Sequence, residues 1–154
     1  MSELDPISEE TLDTLKKIPT QTLIDGLWVK GWPSSYIQGA RPLLLGQSMA
    51  GRAVTLRFVP HRPDLASDKP KGENSAEYVA IELCGPQEVL VIDALGWKYS
   101  SIGGDIKFMR LMQRRVGGLV TDGGVRDSVV LKAVSYTHLR AHETEADLVC
   151  RLLL

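Results

Sequence analysis

The stretch QEVLVIDALGWKYSSIGGDIKFMRLMQRRVGGLVTDGGVRD, residues 87–127, reads as a strand, a glycine-rich turn, a helix and a second strand. From Gln87 to Leu95 it carries the run Val89-Leu90-Val91-Ile92, the pattern of a strand buried on both faces. Gly96 closes that strand, and Trp97 to Ser101 lead into Gly103-Gly104. From Ile106 to about Arg115 the residues Phe108, Leu111 and Met112 fall on one helical face. Gly117-Gly118-Leu119-Val120-Thr121 reads as the next short buried strand. The pattern is a βαβ unit, so the chain is expected in the α/β class. Its parallel strands end side by side, at the edge where open α/β sheets take ligands.

The residues at that edge carry the chemistry. Asp105 stands on the first connection, and Arg126-Asp127 follow Thr121-Asp122-Gly123-Gly124 on the next. Gly103 and Gly104 permit a tight turn. The N–H groups of Asp105, Ile106 and Lys107 then begin a helix, whose amino end offers unpaired donors to an anion. Arg126 is the fork-shaped partner for a small carboxylate. Asp127 is a hard oxygen ligand for a divalent cation, and Asp105 can hold a metal-associated water or act as a base. Together they suggest a small oxo-acid held against a metal. Equally, Gly-Gly-Asp and Asp-Gly-Gly are ordinary turns, and Arg126-Asp127 can be a surface pair.

The remaining sequence supplies helices, one more strand and a long loop. Ser8 and the acidic Glu9-Glu10 start a helix with Leu12, Leu15 and Ile18 on one stripe. Thr20 can cap a second helix, to about Leu27 or Val29, ended by Gly31-Trp32-Pro33. Pro42 to Gly46 reads as a connection. Met49 to Val59 reads as a strand with Arg52 and Arg57 near its ends or on an exposed face. Residues 60–74, PHRPDLASDKPKGEN, form a polar, proline-rich loop, either a solvated surface or a lid or subunit contact. Ser75 caps a helix to about Cys84, with Tyr78, Ile81 and Leu83 available to the core. Cys84 reads as a small buried residue, since no histidine partner is evident.

Composition narrows the class. The chain has 154 residues, enough for one domain with a real core, and a formal net charge of −1, which gives no footprint for nucleic acid. Cys84 and Cys150 are far apart, which argues for a reduced compartment rather than a disulfide framework. The acidic amino terminus lacks the apolar core of a signal peptide, and no apolar run approaches membrane-spanning length. A cytoplasmic protein without membrane or nucleic-acid partners is expected.

The carboxyl end differs from the rest. Residues 134–154, VSYTHLRAHETEADLVCRLLL, resemble translated sequencing-adapter or vector sequence found on many unrelated chains. The expectation is a domain over residues 1–133, truncated in mid-fold, with residues 134–154 a non-native tail. Without Arg140, Arg151, Glu143, Glu145 and Asp147 of that tail the body is formally neutral. His138 and His142 would share a face on a helix, as zinc ligands can, but chance spacing within the tail is the plainer reading.

The segment GGDIKFMRLMQRRVGGLVTDGGVRD, an Asp followed after twenty residues by Arg-Asp, resembles the signature of the RraA-like family. The resemblance extends through TQTLIDGL at 20–27, Gly51-Arg52-Ala53 and the 87–96 strand, covering about residues 10 to 133. That family includes class II 4-hydroxy-4-methyl-2-oxoglutarate/4-carboxy-4-hydroxy-2-oxoadipate aldolases and homologues of regulator of ribonuclease activity A. The resemblance implies a β/β/α swivelling-domain fold, with a layered mixed sheet and helices, assembled as homotrimers or hexamers with sites between subunits. It implies a carbon–carbon lyase that releases pyruvate from a 4-hydroxy-2-oxo dicarboxylic acid, with oxaloacetate decarboxylase side activity. Gly104, Asp105, Ile106 and Lys107 would bind the pyruvoyl end of the substrate, and Arg126 its carboxylate. Asp127 would ligate magnesium or manganese, and Asp105 would orient a metal-bound water. Lys107 stands where the family carries an apolar residue, so Lys107→Leu is expected to alter substrate preference. The alternative is a binding protein that regulates an RNA-processing enzyme. A methyltransferase reading is set aside, since no glycine-rich nucleotide loop follows the first strand.

Overall fold

The computed structural model describes residues 7–32, 35–37, 42–43, 45–97, 99, 101–128 and the backbone of 139–142. Two helices lead the chain, α1 (Glu9–Lys17) and α2 (Thr20–Val29). The Ser8 side chain accepts from Thr11 N and caps α1, with acids in its first turn and lysines in its last, each complementing the helix dipole. Pro19, rather than Thr20, sits at the cap position of α2 and offers no side-chain hydrogen bond. Leu12 is buried, whereas Leu15 and Ile18 are half-buried.

The sheet follows: β1 (Arg52–Arg57), β2 (Glu88–Asp93), β3 (Gly118–Gly124) and β4 (Leu139–His142), in that spatial order. Each described pairing is parallel. Crossovers between parallel strands need helices, and α3 (Ala76–Leu83) and α4 (Asp105–Gln113) supply them. The α/β class and the βαβ unit read from residues 87–127 are both present. Strand β4 lies in the segment expected to be a tail, and its register against β3 shifts between Val120 and Gly124. His142 closes that strand, and the expected pairing of His138 with His142 lies outside the described residues.

The main core lies between the sheet and α3 and α4. Leu90, Ile92 and Leu119 meet Ile81, Cys84, Phe108 and Leu111 there. Each such side chain withdrawn from water contributes about 1.5–3 kcal/mol before entropy is charged against it. Val89 and Val120 point to the opposite face, against Ile37, Met49 and Val91. Because β2 is covered on both faces, its unbroken apolar run is explained. Leu83, expected in the core, is 67% exposed, since Ala80, Ile81 and Cys84 already form the inward face of α3. Burial pushes the Cys84 thiol up to about 11, with Glu88 adding to the shift, so it is protonated at neutral pH.

Strand β1 begins with Arg52 half-buried, its guanidinium donating to Gln87 and Glu88 at 2.9 and 3.3 Å. It ends with exposed Arg57 on Asp93 at 2.7 Å. Strand β3 extends beyond the expected Thr121 through Asp122-Gly123-Gly124, a segment read from sequence as a turn. Gly123 is needed there, since a Cβ would lie 2.6 Å from the Ala94 Cβ and 2.9 Å from Ile102. Within the loop at 60–74 the chain makes two short 3-10 turns, Pro63–Leu65 and Gly72–Asn74. No helix among the described residues is long and apolar enough to cross a membrane.

Candidate active site

At the carboxyl edge of the sheet the chain doubles back on itself. Ile102 N donates to Gly124 O at 2.9 Å, and Arg126 N donates to Gly103 O at 3.0 Å. Ser101 also bridges Gly124 in parallel fashion. The Gly103-Gly104 turn is thereby fastened to the end of β3. Asp122 stiffens the same edge, its carboxylate accepting from Ala94 N and Gly96 N at 2.6 Å each. That tie between the ends of β2 and β3 was not foreseen. Its signal was an acidic residue one step before Gly-Gly, on what proves to be strand rather than turn.

Asp127 adopts φ 61°, a left-handed conformation uncommon outside glycine and best tolerated by Asn and Asp. This turns its carboxylate back over the start of α4, where Asp105 N donates to Asp127 Oδ2 at 3.3 Å. Gly104 makes room for it: its backbone is extended, φ −134°, so the requirement is space rather than torsion. A Cβ at Gly104 would lie 2.6 Å from Asp127 Oδ2 and 3.4 Å from Arg126 Nη2. Asp105, Gly104, Arg126 and Asp127 are therefore brought together, although twenty residues separate Asp105 from Arg126.

Two placements differ from the sequence reading. The donors at the amino end of α4 were expected to be open to an anion. Instead Asp105 N faces Asp127, and Ile106 N donates to Asp105 Oδ1 at 2.7 Å. Both carboxylates complement the positive end of the helix, which is the electrostatic reason they gather there. An incoming anion would meet Arg126 first, or displace a carboxylate. Lys107 points the other way. Its ammonium donates to Glu77 Oε1 on α3 at 3.1 Å and to Ile102 O at 3.4 Å, and it lies 5.9 Å from the centre of the Tyr78 ring. Burial opposes ionisation of Glu77. A backbone hydrogen bond and the Lys107 ammonium outweigh it and hold the carboxyl below its ordinary value. Ile106 is 66% exposed beside the turn.

Among the described residues no three histidine, cysteine or acidic side chains gather round one point. Asp105 and Asp127 both bring a hard carboxylate to the amino end of α4. That donor set suits a magnesium-like cation, which takes one or two carboxylates and keeps much of its water.

The family model described as RraA-like, Aldolase/RraA, matches residues 20–146 and so runs past Ala133. Among solved structures, Streptomyces coelicolor RraAS2, described as an unusual member of the RNase ES inhibitor RraA protein family, superposes with a TM-score of 0.74 at 27% identity, over 90% of this chain and 65% of that one. An uncharacterised protein from Pseudomonas syringae pv. tomato superposes with a TM-score of 0.73 at 23% identity, over 90% of this chain and 58% of that one. The RNA-processing inhibitor RraA from Thermus thermophilus gives a TM-score of 0.55 at 21% identity, over 86% of this chain and 76% of that one. The chain thus spans under two thirds of the length of the first two proteins. With its α/β fold, its Gly-Gly-Asp turn closed by Arg126-Asp127, and a family match over most of its length, the chain belongs to the RraA-like family.

Proposed function

We propose that this chain carries the site of a class II aldolase, dependent on magnesium or manganese, that cleaves a 4-hydroxy-2-oxo dicarboxylic acid such as 4-hydroxy-4-methyl-2-oxoglutarate to pyruvate. The observation that carries the reading is the meeting of Asp105, Arg126 and Asp127 at the Gly103-Gly104 turn. Asp127 would hold the cation, which when bound would polarise the keto oxygen as a Lewis acid.

The chain's own residues supply the rest. Arg126 is exposed at the turn and takes the substrate carboxylate through its planar fork. Asp105, with Oδ1 engaged by Ile106 N, keeps Oδ2 to receive the proton of the C4 hydroxyl. As that proton leaves, the C4–O electrons form a carbonyl and the C3–C4 bond breaks. The bond pair passes to the pyruvate enolate, whose charge Arg126 offsets. Protonation at C3 completes pyruvate. Decarboxylation of oxaloacetate reaches the same enolate, so that activity accompanies the first.

Magnesium-dependent release of pyruvate from 4-hydroxy-4-methyl-2-oxoglutarate is the expected outcome, abolished by EDTA and by Asp127→Ala. A chain folded by circular dichroism that releases none would overturn the reading. The name of RraAS2 supports a second one, a protein-binding regulator of an RNA-processing enzyme that needs no catalysis. Assembly as a homotrimer or hexamer belongs to either reading. Exposed Trp28, Val29 and Trp32 at the end of α2 favour it, and light scattering is expected to give a mass of at least three chains.

A further inference from the structure

A cavity of about 590 Å³ opens beside the Gly103-Gly104 turn, and none of Asp105, Arg126 or Asp127 lines it. Its volume falls within the roughly 300–1,000 Å³ usual for small-molecule sites. It lies at the carboxyl edge of the sheet, where Phe58 follows β1 and Ala94 and Leu95 follow β2. Ile102, bonded to the end of β3, also lines it. Trp97 forms part of the wall, with Tyr99 edge-on to it at 5.8 Å between ring centres. The walls are therefore apolar and in part aromatic.

Two groups of opposite character line the same space, His61 and Lys69, both brought by the loop that leaves β1. The neighbouring carboxylates are engaged elsewhere. Asp64 is taken by Arg62, Asp93 by Arg57 and Leu95 N, and Asp68 accepts from the Ser67 hydroxyl. Among the described residues Lys69 forms no ion pair, and it acts on Asp64 only through its charge, after the Arg62 contact. A cation facing an apolar, aromatic pocket complements an organic anion with an apolar body.

We propose that this pocket binds a small aromatic carboxylate, its ring against Trp97 and Phe58 and its carboxylate toward Lys69 and His61. The site is independent of the aldolase reading, and its test measures binding alone. Isothermal titration with 3-phenylpropanoate is expected to give saturable binding of one ligand per chain. Lys69→Met weakens it about tenfold, the scale of one charge-assisted hydrogen bond, and leaves the neutral 3-phenylpropan-1-ol unaffected. Trp97→Ala weakens both ligands. Both residues are exposed, so neither change disturbs the core, which circular dichroism checks. Absence of saturable binding to the folded chain, as when a second copy fills the pocket, overturns the proposal. Equal affinity of all three proteins for 3-phenylpropanoate does the same.

Discussion

Gly104 shows how one missing methyl group organises the candidate site. The Asp127 carboxylate occupies the space that a side chain at 104 would claim, 2.6 Å from its ideal Cβ. Gly104→Ala is expected to drive that carboxylate off the amino end of α4. The fold should survive, because the clash falls on a side chain at the surface. Pyruvate release should fall at least about a hundredfold, the scale of misplacing a positioned group. Circular dichroism together with the pyruvate assay checks both halves; retained activity would mean Asp127 need not sit where it does.

Between elements, the Lys107–Glu77 pair joins α4 to α3 beneath the turn, with both side chains about a quarter exposed. Lys107→Leu leaves Glu77 half-buried without its cation, and is expected to destabilise the fold by about 1–3 kcal/mol in denaturant unfolding. Because Glu77 is held below its ordinary 4.5, the pair's contribution is complete above that pH and is lost as pH falls through the lower folded value. The deficit of Lys107→Leu should therefore shrink below pH 4.5. A deficit independent of pH would mean the loss is one of packing. Since the ammonium faces α3, any change in substrate preference on this substitution would act through the Ile102 carbonyl and the turn it supports.

For the molecule as a whole, the parallel order of β1, β2, β3 and β4 puts the strand ends, the turn and the aromatic pocket on one edge. Strand β4 falls within residues 134–154, the segment that resembles an appended tail. On that reading, ending the chain after Ala133 should move the thermal midpoint by no more than about 2 °C, equivalent to less than about 1 kcal/mol. A larger fall would mark β4 as an integral strand, its pairing with β3 part of what stabilises the sheet.

The sequence by itself determined the class and the meeting of the site residues. An apolar run followed by a glycine turn, a helix and a second apolar run can close in few ways, so Asp105 and Arg126-Asp127 were bound to face one another. Spacing and hydrophobic period are local properties, legible without coordinates. Only the tertiary structure decided where the polar groups point. Asp127 reaches back to α4 through a positive φ, Asp122 ties two strand ends, and Lys107 turns to Glu77 on another helix. Leu83 turns outward because its neighbours fill the inner face of α3. Each of these depends on partners distant in sequence, whose competing charge and volume no local pattern records.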